Sequence, residues 1–241
     1  YIIHLAAQAG VRHSISHPEE YFDSNLRGFF NILEASRFNK IKHLVFASTS
    51  SVYGENKSFP LKESFNTDKP ISFYAATKKS NEIMAYSYSY IYSLPCTAVR
   101  FFTVYGPFGR PDMALFKFTR NISIGNKVEL FNYGNHQRDF TYVDDIVKGL
   151  QLLINKPSKN NVPFEIFNIG KGKPNKLLAY LKEIEKNLKK KSKITKLPMQ
   201  KGDIKKTHSD ITKLKKYAGY NPATDIKVGI KKFIDWYKTF Y

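Results

Sequence analysis

The sequence predicts an α/β protein in which helices cover a parallel β-sheet. Continuous apolar runs, such as 43–47 and 96–102, are typical of strands that are buried on both faces. Segments with helical periodicity separate these runs, and an alternation of strands and helices favours a parallel strand arrangement. With 241 residues, 42% of them hydrophobic, the chain can bury a sizeable core.

The predicted elements follow one another along the whole chain. Strands are predicted at 1–5, 43–47, 96–102, 128–131, 138–142 and 164–169. Helices are predicted at about 18–37, 72–92, just after 111–112, from 144 to 154, at about 176–189 and at about 226–238. Pro18 followed by two glutamates suits the first turn of a helix, because acidic side chains stabilise its positive end. The Lys-rich stretch between the last two helices is predicted to be poor in strands.

Positive charge is concentrated in the last third of the chain. The formal net charge is +19. Residues 171–241 hold 20 lysines and 6 acidic residues, and they therefore contribute +14 of that total. Such an excess favours a polyanionic partner, which includes nucleic acid or a phosphate-bearing substrate. The single cysteine excludes a disulfide framework, and the six histidines lack metal-ligand spacing, so that we expect no metal site.

A hydroxyl-rich segment and a Tyr-x-x-x-Lys pair carry the strongest chemical signal. Residues 48–51 (Ser-Thr-Ser-Ser) end a buried strand, where ligands bind in open α/β sheets. Tyr74 and Lys78 are four residues apart and share one helix face. An ammonium beside a phenol is expected to lower the phenol pKa, which would make Tyr74 a general base for an alcohol. Thr49 or Ser51 would then hydrogen-bond the same oxygen.

Several motifs together resemble a known family. They are His4–Arg12, the hydroxyl cluster before Val52-Tyr53-Gly54, Tyr74 with Lys78, and the segments 100–107, 109–114 and 138–145. With them the chain resembles the extended short-chain dehydrogenase/reductase family of NAD-dependent nucleotide-sugar epimerases and dehydratases, and most closely its UDP-glucuronate 4-epimerase branch. The resemblance is specific over residues 1–170 and looser beyond them.

The resemblance implies a Rossmann-type doubly wound sheet with a small C-terminal α+β substrate lobe. Residues 1–103 and 142–170 would form the NAD-binding part, and residues 104–141 and 171–241 the lobe. Catalysis would rest on Thr49, Tyr74 and Lys78, with a transient 4-keto sugar formed from UDP-glucuronate or UDP-galacturonate. The NAD site would comprise Ala6, Ala7, Gln8, Asn25, Ser48, Tyr74, Lys78 and Phe101. The UDP-sugar site would comprise Ser50, Ser51, Thr103, Arg110, Arg138 and Asp203.

Four further expectations accompany the resemblance. The glycine-rich fingerprint of the family is absent, so we expect it in a segment preceding Tyr1. We therefore expect the 241-residue chain alone to bind NAD poorly and to turn over little. A homodimer through the Tyr-rich helix 72–92 and a cytoplasmic location are also expected.

Alternatives stay open at this point. Another UDP-sugar epimerase, a dehydratase, a reductase or a decarboxylase would share the same base, although a dehydratase usually carries a carboxylate in the hydroxyl cluster. A basic nucleic-acid-binding or non-catalytic interaction protein is the rival from a different class. Against specific nucleic-acid binding, the tail has no arginine beyond Arg138, and its lysines alternate with apolar helix positions.

Overall fold

A four-stranded parallel sheet forms the centre of the molecule. A computed structural model describes residues 1–241 and places the strands in the order β1-β2-β3-β8. Their bounds are Ile2–His4 (β1), Leu44–Thr49 (β2), Cys96–Phe101 (β3) and Phe164–Ile169 (β8). The parallel order confirms the predicted α/β class. Apolar side chains point to both faces of β2 and β3, which is why these runs lack the alternation of a half-exposed sheet.

Helices cover both faces of the sheet. The helices that precede β8 in the chain, not all of which cover the sheet, are His13–Ser16 (α1), Pro18–Tyr21 (α2), Gly28–Phe38 (α3), Phe73–Tyr92 (α4), Ala114–Ser123 (α5) and Val143–Ile154 (α6). On one face α3 and α4 bury Phe29, Leu33 and Ala85 against the strands. On the other face α6 packs with a later helix, Thr212–Ala218 (α8), against Val45 and Val99. The order in which the chain crosses the sheet is that of a Rossmann-type fold.

A second core lies beside the sheet and belongs to the smaller lobe. Its short strands are Thr103–Tyr105 (β4), Lys127–Leu130 (β5), Gln137–Arg138 (β6), Phe140–Tyr142 (β7), Asn175–Lys176 (β9) and Lys193–Lys196 (β10). They pair as β4 with β7, β5 with β10 and β6 with β9. The helices Leu177–Leu188 (α7) and Ile226–Phe240 (α9) pack with α5 around 17 buried residues. Phe140 and Tyr180 stack at its centre, with ring centroids 4.1 Å apart.

The helix predicted over 18–37 is interrupted by a wider turn. Residues Phe22–Arg27 form a π-helical turn between α2 and α3, in which the Gly28 amide donates to the carbonyl of Asp23 five residues earlier. A π turn adds one residue to the helical repeat and therefore rotates the side chains that it carries. Asn25, which lies in this turn, is buried as a result.

The prediction missed several elements of the lobe and its surroundings, namely β4, β9, β10 and α8. Lys193–Lys196 pairs in parallel with β5 although most of its residues are exposed, so the expectation of a strand-poor Lys-rich stretch was wrong there. α8 buries only Leu214 and Ala218, too few apolar positions to produce a helical pattern among its lysines. No helix of the molecule combines the length and apolar character that a membrane span needs.

Candidate active site

The hydroxyl-rich segment turns sharply at the carboxyl edge of the sheet. Thr49 is the last residue of β2, and its Oγ1 accepts a hydrogen bond of 3.2 Å from the amide of Ser51. The same hydroxyl donates to Ser51 Oγ at 3.2 Å. This local capping begins a 3₁₀ turn over Ser50–Tyr53. The three hydroxyls of residues 49–51 therefore face the space beyond the strand ends.

The start of α4 brings the tyrosine to the same place. Ser72 is the N-cap residue, and its Oγ accepts from the amide of Ala75 at 3.1 Å. Tyr74 consequently lies in the first turn of the helix, and Lys78 lies one turn further along the same face. Tyr74 is partly buried, whereas Lys78 is 2% exposed. Thr49 and Tyr74 line the same cleft, so that the two predicted partners are brought to one site.

The pKa of Tyr74 departs from the sequence-based expectation. Burial raises the phenol pKa, and this effect exceeds the opposing effects of the Thr49 hydrogen bond and of the Arg110 charge. The ammonium of Lys78 was expected to lower the pKa, but the shift in this structure has the opposite sign. The expectation was wrong because it counted a charge and ignored desolvation, which favours the neutral phenol.

Burial also acts on Lys78. It lowers the lysine pKa from 10.5 to about 8, although the neighbouring carboxylate of Glu82 favours the charged form. Lys78 in turn helps to lower the pKa of His4, whose own burial contributes more. A buried ammonium with a pKa close to the neutral range is typical of functional sites.

A fully buried polar network lies beside the site, at the strand positions that directly precede Thr49 and Phe101. Arg100 donates to both carboxylate oxygens of Glu82 at 2.8 Å, and its guanidinium also donates to the Tyr53 hydroxyl at 3.0 Å. Ser48 donates to the same carboxylate at 2.5 Å, so its hydroxyl points away from the cleft. Tyr53 completes the network by donating to Asn168 at 2.7 Å. The network fixes the position of α4, which bears Glu82, Tyr74 and Lys78, against the sheet.

The sequence contained a signal for this network that the prediction did not use. Arg100 stands within an otherwise apolar strand, and a charge in such a strand must be paired when the strand is buried. In the sheet Ser48, Arg100 and Asn168 occupy neighbouring register positions on β2, β3 and β8. One residue further along, Thr49 and Phe101 are aligned in the same way.

Asn25 organises the chain that leaves β1. Its side chain accepts from the amide of Gln8 at 2.8 Å and donates to the Gln8 carbonyl at 3.0 Å and to Thr77 Oγ1 at 3.0 Å. Asn25 is 2% exposed, and its amide group is therefore committed to holding the segment 6–8. The neighbouring Leu5 is 52% exposed, and Ala6 is exposed as well. An accessible apolar stretch thus lies at the carboxyl end of β1.

A cleft of about 720 Å³ separates the sheet from the lobe. It brings together nine of the predicted residues, and these are Thr49, Ser50, Ser51, Tyr74, Phe101, Thr103, Arg110, Arg138 and Asp203. The remaining predicted residues do not line it, and these are Ala6, Ala7, Gln8, Asn25, Ser48 and Lys78. All six were predicted to contact NAD, and none of them was predicted to contact the UDP-sugar.

The lobe side of the cleft carries a cluster of charges around Asp203. Arg138 Nη2 donates to Asp203 Oδ1 at 2.9 Å, and His136 Nε2 lies 3.2 Å from Asp203 Oδ2. Arg12 Nη2 is 3.7 Å from the same oxygen, and its guanidinium lies over the ring of Phe131. Burial of Asp203 opposes ionisation, but the contact with His136 and the charge of Arg138 lower the pKa of its carboxyl group below the ordinary value. The prediction did not include His136, because it is separated from Asp203 by 67 positions and no spacing rule links the two.

Arg110 also lines the cleft. Its Nε donates to Asp112 Oδ1 at 3.0 Å, and 44% of the arginine side chain is exposed. A Cβ built on Gly10 would be 3.4 Å from Arg110 Nη2 and 3.4 Å from the Tyr21 hydroxyl. The guanidinium therefore lies over the segment that follows β1, and its charge reaches Tyr74.

The profile of the NAD dependent epimerase/dehydratase family matches residues 1–170. Among curated proteins, the chain is 47% identical to Protein CapI of Staphylococcus aureus over all of this chain and 76% of that protein. It is 42% identical to a probable UDP-glucuronate 4-epimerase of Rhizobium meliloti, over all of this chain and 75% of that protein. The chain thus spans about three quarters of the length of both relatives.

Solved structures give the same similarity in three dimensions. The UDP-glucuronic acid 4-epimerase of Bacillus cereus, in complex with UDP-glucuronic acid and NAD, matches with a TM-score of 0.92 and 32% identity. That match covers 98% of this chain and 74% of the other. A UDP-glucose 4-epimerase of Thermotoga maritima, solved with UDP-glucose, matches with a TM-score of 0.93 and 32% identity, over 99% of this chain and 77% of the other.

Proposed function

Because the chain belongs to the NAD dependent epimerase/dehydratase family, we propose that it is an NAD-dependent 4-epimerase that interconverts UDP-glucuronate and UDP-galacturonate. One observation carries the proposal. Thr49 and Tyr74 line one cleft together with two arginines, Arg110 and Arg138. A base for an alcohol thus lies within one cavity with cations suited to a diphosphate and a carboxylate.

Tyr74 is the proposed general base for the 4-hydroxyl of the sugar. As the phenolate it accepts the hydroxyl proton while the C4–H bond breaks, which leaves a 4-keto sugar. Bound NAD⁺ would supply the acceptor for the C4 hydride and the donor for its return to the other face of the ketone. Tyr74 then gives the proton back to the oxygen, so that atoms and electrons balance over the cycle. Thr49 donates a hydrogen bond that steadies the same oxygen.

Residues on the sheet side fit the cofactor. Lys78 offers a buried ammonium one helical turn from Tyr74, and its proposed partner is the nicotinamide ribose. The exposed apolar stretch at Leu5 and Ala6, continued by Ala7, suits the flat rings of a dinucleotide, and Phe101 offers a further apolar surface. Asn25 and Ser48 act through their neighbours, since their side chains are hydrogen-bonded to Gln8 and to Glu82.

The proposed UDP-sugar site lies between the hydroxyl segment and the lobe. The planar guanidinium of Arg138 suits two diphosphate oxygens, and Asp203 beside it suits the hydroxyls of the nucleoside. Ser50, Ser51 and Thr103 supply hydroxyl groups for the sugar, and Arg110 supplies a cation for the sugar carboxylate or the diphosphate. The hydroxyl cluster 49–51 contains no carboxylate, which favours epimerisation over elimination of water.

We propose the same division of the chain as the sequence suggested, with 1–103 and 142–170 for NAD and 104–141 and 171–241 for the substrate. The separate core of the lobe supports it. Within the second range, however, α8 packs on the sheet through Leu214 and Ala218. The cytoplasmic location stays a prediction.

A homodimer through α4 is also proposed. Ile83, Tyr86, Tyr90 and Ile91 lie on one face of this helix, and their exposed fractions range from 49% to 68%. A row of large exposed apolar side chains is typical of a surface that another protein covers. Sedimentation of the chain and of an Ile83→Glu/Tyr90→Glu double variant tests it, and a wild-type monomer at micromolar concentration would contradict it.

The activity is tested by incubating the chain with UDP-glucuronate and NAD⁺ and separating the UDP-sugars. The assay is made on the 241-residue chain and on the same chain preceded by a glycine-rich βαβ unit from a family member. We expect UDP-galacturonate from the second protein and little turnover by the first. UDP-glucose is the matched competitor, and conversion of UDP-glucose alone would assign a different sugar. Failure to convert any UDP-sugar, with binding of NAD verified, would reject the proposal.

A further inference from the structure

The loop between β4 and α5, residues 106–113, connects the cleft with the outer surface of the lobe. Both Arg110 and Phe108 of this loop border the cleft, and Phe108 is 79% exposed at its outer rim. Phe108 has a φ of 58°, in the left-handed region that a bulky residue seldom adopts. Such a conformation persists only where surrounding contacts compensate for its strain.

The contacts of Phe108 are aromatic and lie on α9. Its ring centroid is 5.1 Å from that of Trp236 and 6.1 Å from that of Phe240, in tilted and edge-on orientations. These distances lie in the favourable range for aromatic pairs. The exposed ring therefore joins the loop to the C-terminal helix.

The first residues of the loop are held by a hydrogen bond and by close packing, whereas the packing further along the loop is incomplete. The amide of Gly109 donates to the carbonyl of Gly106 at 3.2 Å, and a Cβ at Gly106 would be only 2.6 Å from Val143 Cγ1. A small, partly open pocket of about 40 Å³ is lined by Gly109 and Arg110 of the loop and by Tyr180 and Phe233 of the lobe core. Close packing is incomplete at this pocket, so the loop depends more on its other attachments.

We propose that Phe108 is a positioning residue, which docks on Trp236 and Phe240 and thereby holds loop 106–113 with Arg110 facing the sugar end of the substrate. The inference rests on the proposed function for the identity of the ligand, and on this structure alone for the docking. Arg110 lies over Gly10, near Tyr74, and its charge favours the phenolate. The loop position therefore affects both sugar binding and the base.

The docking is testable without catalysis, because Trp236 is the only tryptophan of the chain. Phe108→Ala is expected to shift the wavelength or the intensity of tryptophan emission, and Phe108→Tyr is expected to preserve both. The matched control is Phe38→Ala, which removes an equally exposed ring (71%) at the end of α3. That control is expected to leave the emission unchanged.

Binding is measured by calorimetry on the 241-residue chain with UDP and with UDP-glucuronate. Phe108→Ala is expected to weaken UDP-glucuronate about fivefold, the equivalent of one aromatic pair, and to leave UDP unchanged. In the catalytically competent protein, the rising limb of the pH profile of kcat/KM is expected to move to higher pH, because Arg110 then favours the phenolate less. Phe108→Tyr is expected to restore both properties.

Two outcomes overturn different statements. A wild-type chain that binds neither UDP nor UDP-glucuronate overturns the proposed function. A wild-type chain that binds UDP-glucuronate, with Phe108→Ala equal to it in affinity and in Trp236 emission, overturns the role of Phe108 and leaves the proposed function intact.

Discussion

On the sheet side of the cleft, Thr49, Tyr74 and Lys78 lie on a strand end and a 20-residue helix, whereas on the lobe side Arg110 and Arg138 lie on a loop and a two-residue strand. The sheet side rests on the buried Arg100–Glu82 pair, both members of which are 2% exposed. On the lobe side the arginines are paired with carboxylates that border the cleft.

The difference corresponds to two physical tasks. Chemistry needs a base held to within a fraction of an ångström, and rigid elements above a satisfied polar network provide that. Recognition of an anion needs cations that can exchange partners. The Arg110–Asp112 pair is about half exposed, so it contributes little to stability and can give way to a substrate anion. The predictions below test this division.

The largest expected effect belongs to the base. Tyr74→Phe removes the group that takes the 4-hydroxyl proton, and kcat is expected to fall about 10³-fold with little change in KM. Tyr90→Phe on the same helix, with a side chain that is 68% exposed, is the control. Kinetics with UDP-glucuronate measure both. A Tyr74→Phe variant within tenfold of wild type would remove Tyr74 from the chemistry.

The buried ammonium of Lys78 is expected to reduce the free energy of unfolding, although it is proposed to bind the cofactor. Its pKa in the folded state is about 8, against 10.5 ordinarily, so between these values the unfolded chain binds more protons. The stability of the wild type therefore rises as pH increases from 8 to 10.5, and below pH 8 the full penalty applies. Lys78→Met is expected to stabilise the chain at pH 7 by about 3 kcal/mol, and by much less above pH 10.5.

Urea unfolding at pH 7 and pH 10.5 measures this difference. Lys191→Met, at a position whose side chain is 92% exposed, is the matched control and is expected to leave stability unchanged at both pH values. A Lys78→Met variant that is no more stable than wild type at pH 7 would show that burial does not penalise this ammonium.

A smaller effect is expected on the lobe side. Arg138→Lys keeps the charge but loses the planar fork, and affinity for UDP-glucuronate is expected to fall about tenfold. Because the proposed contact is with the diphosphate, affinity for UDP should fall equally. This outcome differs from that of Phe108→Ala, which spares UDP. Calorimetry with both ligands measures it, and loss of UDP-glucuronate affinity alone would move Arg138 to the sugar.

The sequence predicted more of the sheet side than of the lobe side. The sheet and its hydroxyl segment were predictable because apolar runs and an Ser/Thr cluster are local signals. The predicted strand at 164–169 has the observed bounds. Those signals also located Tyr74 and Lys78 on one helix. They could not give the sign of the Tyr74 shift, which depends on burial by distant parts of the chain.

The lobe was harder to predict for a physical reason. Its charge cluster joins Arg12, His136, Arg138 and Asp203, which are separated by up to 191 positions and share no spacing rule. Its strand β10 carries two lysines in four residues, so no apolar pattern marks it. The lysines of the last third surround helices whose apolar faces are buried, for instance Leu181 and Ile184 of α7. Nine of the 20 lysines of this region lie on these helices and the other eleven lie in loops, turns and short strands, and no function is assigned to the excess.

The smallest expected effect concerns the choice of sugar. Thr103 lines the cleft at the start of β4, and its amide donates to the carbonyl of Asp139 at 3.2 Å, which fixes the backbone while leaving the hydroxyl to the substrate. Galactose-type members of the family usually carry Asn at the matching position. Thr103→Asn adds a larger amide, and the ratio of kcat/KM for UDP-glucuronate to that for UDP-glucose is expected to fall about fivefold, within the range of a single altered pocket contact.

The control is Thr239→Asn, at an exposed position of α9. Thr141→Asn cannot serve as the control, because Thr141 is completely buried. If Thr103→Asn lowers kcat/KM for both sugars by the same factor, Thr103 supports the fold of the cleft and does not select the sugar, and the selection then rests on Arg110 and the hydroxyls of residues 50 and 51.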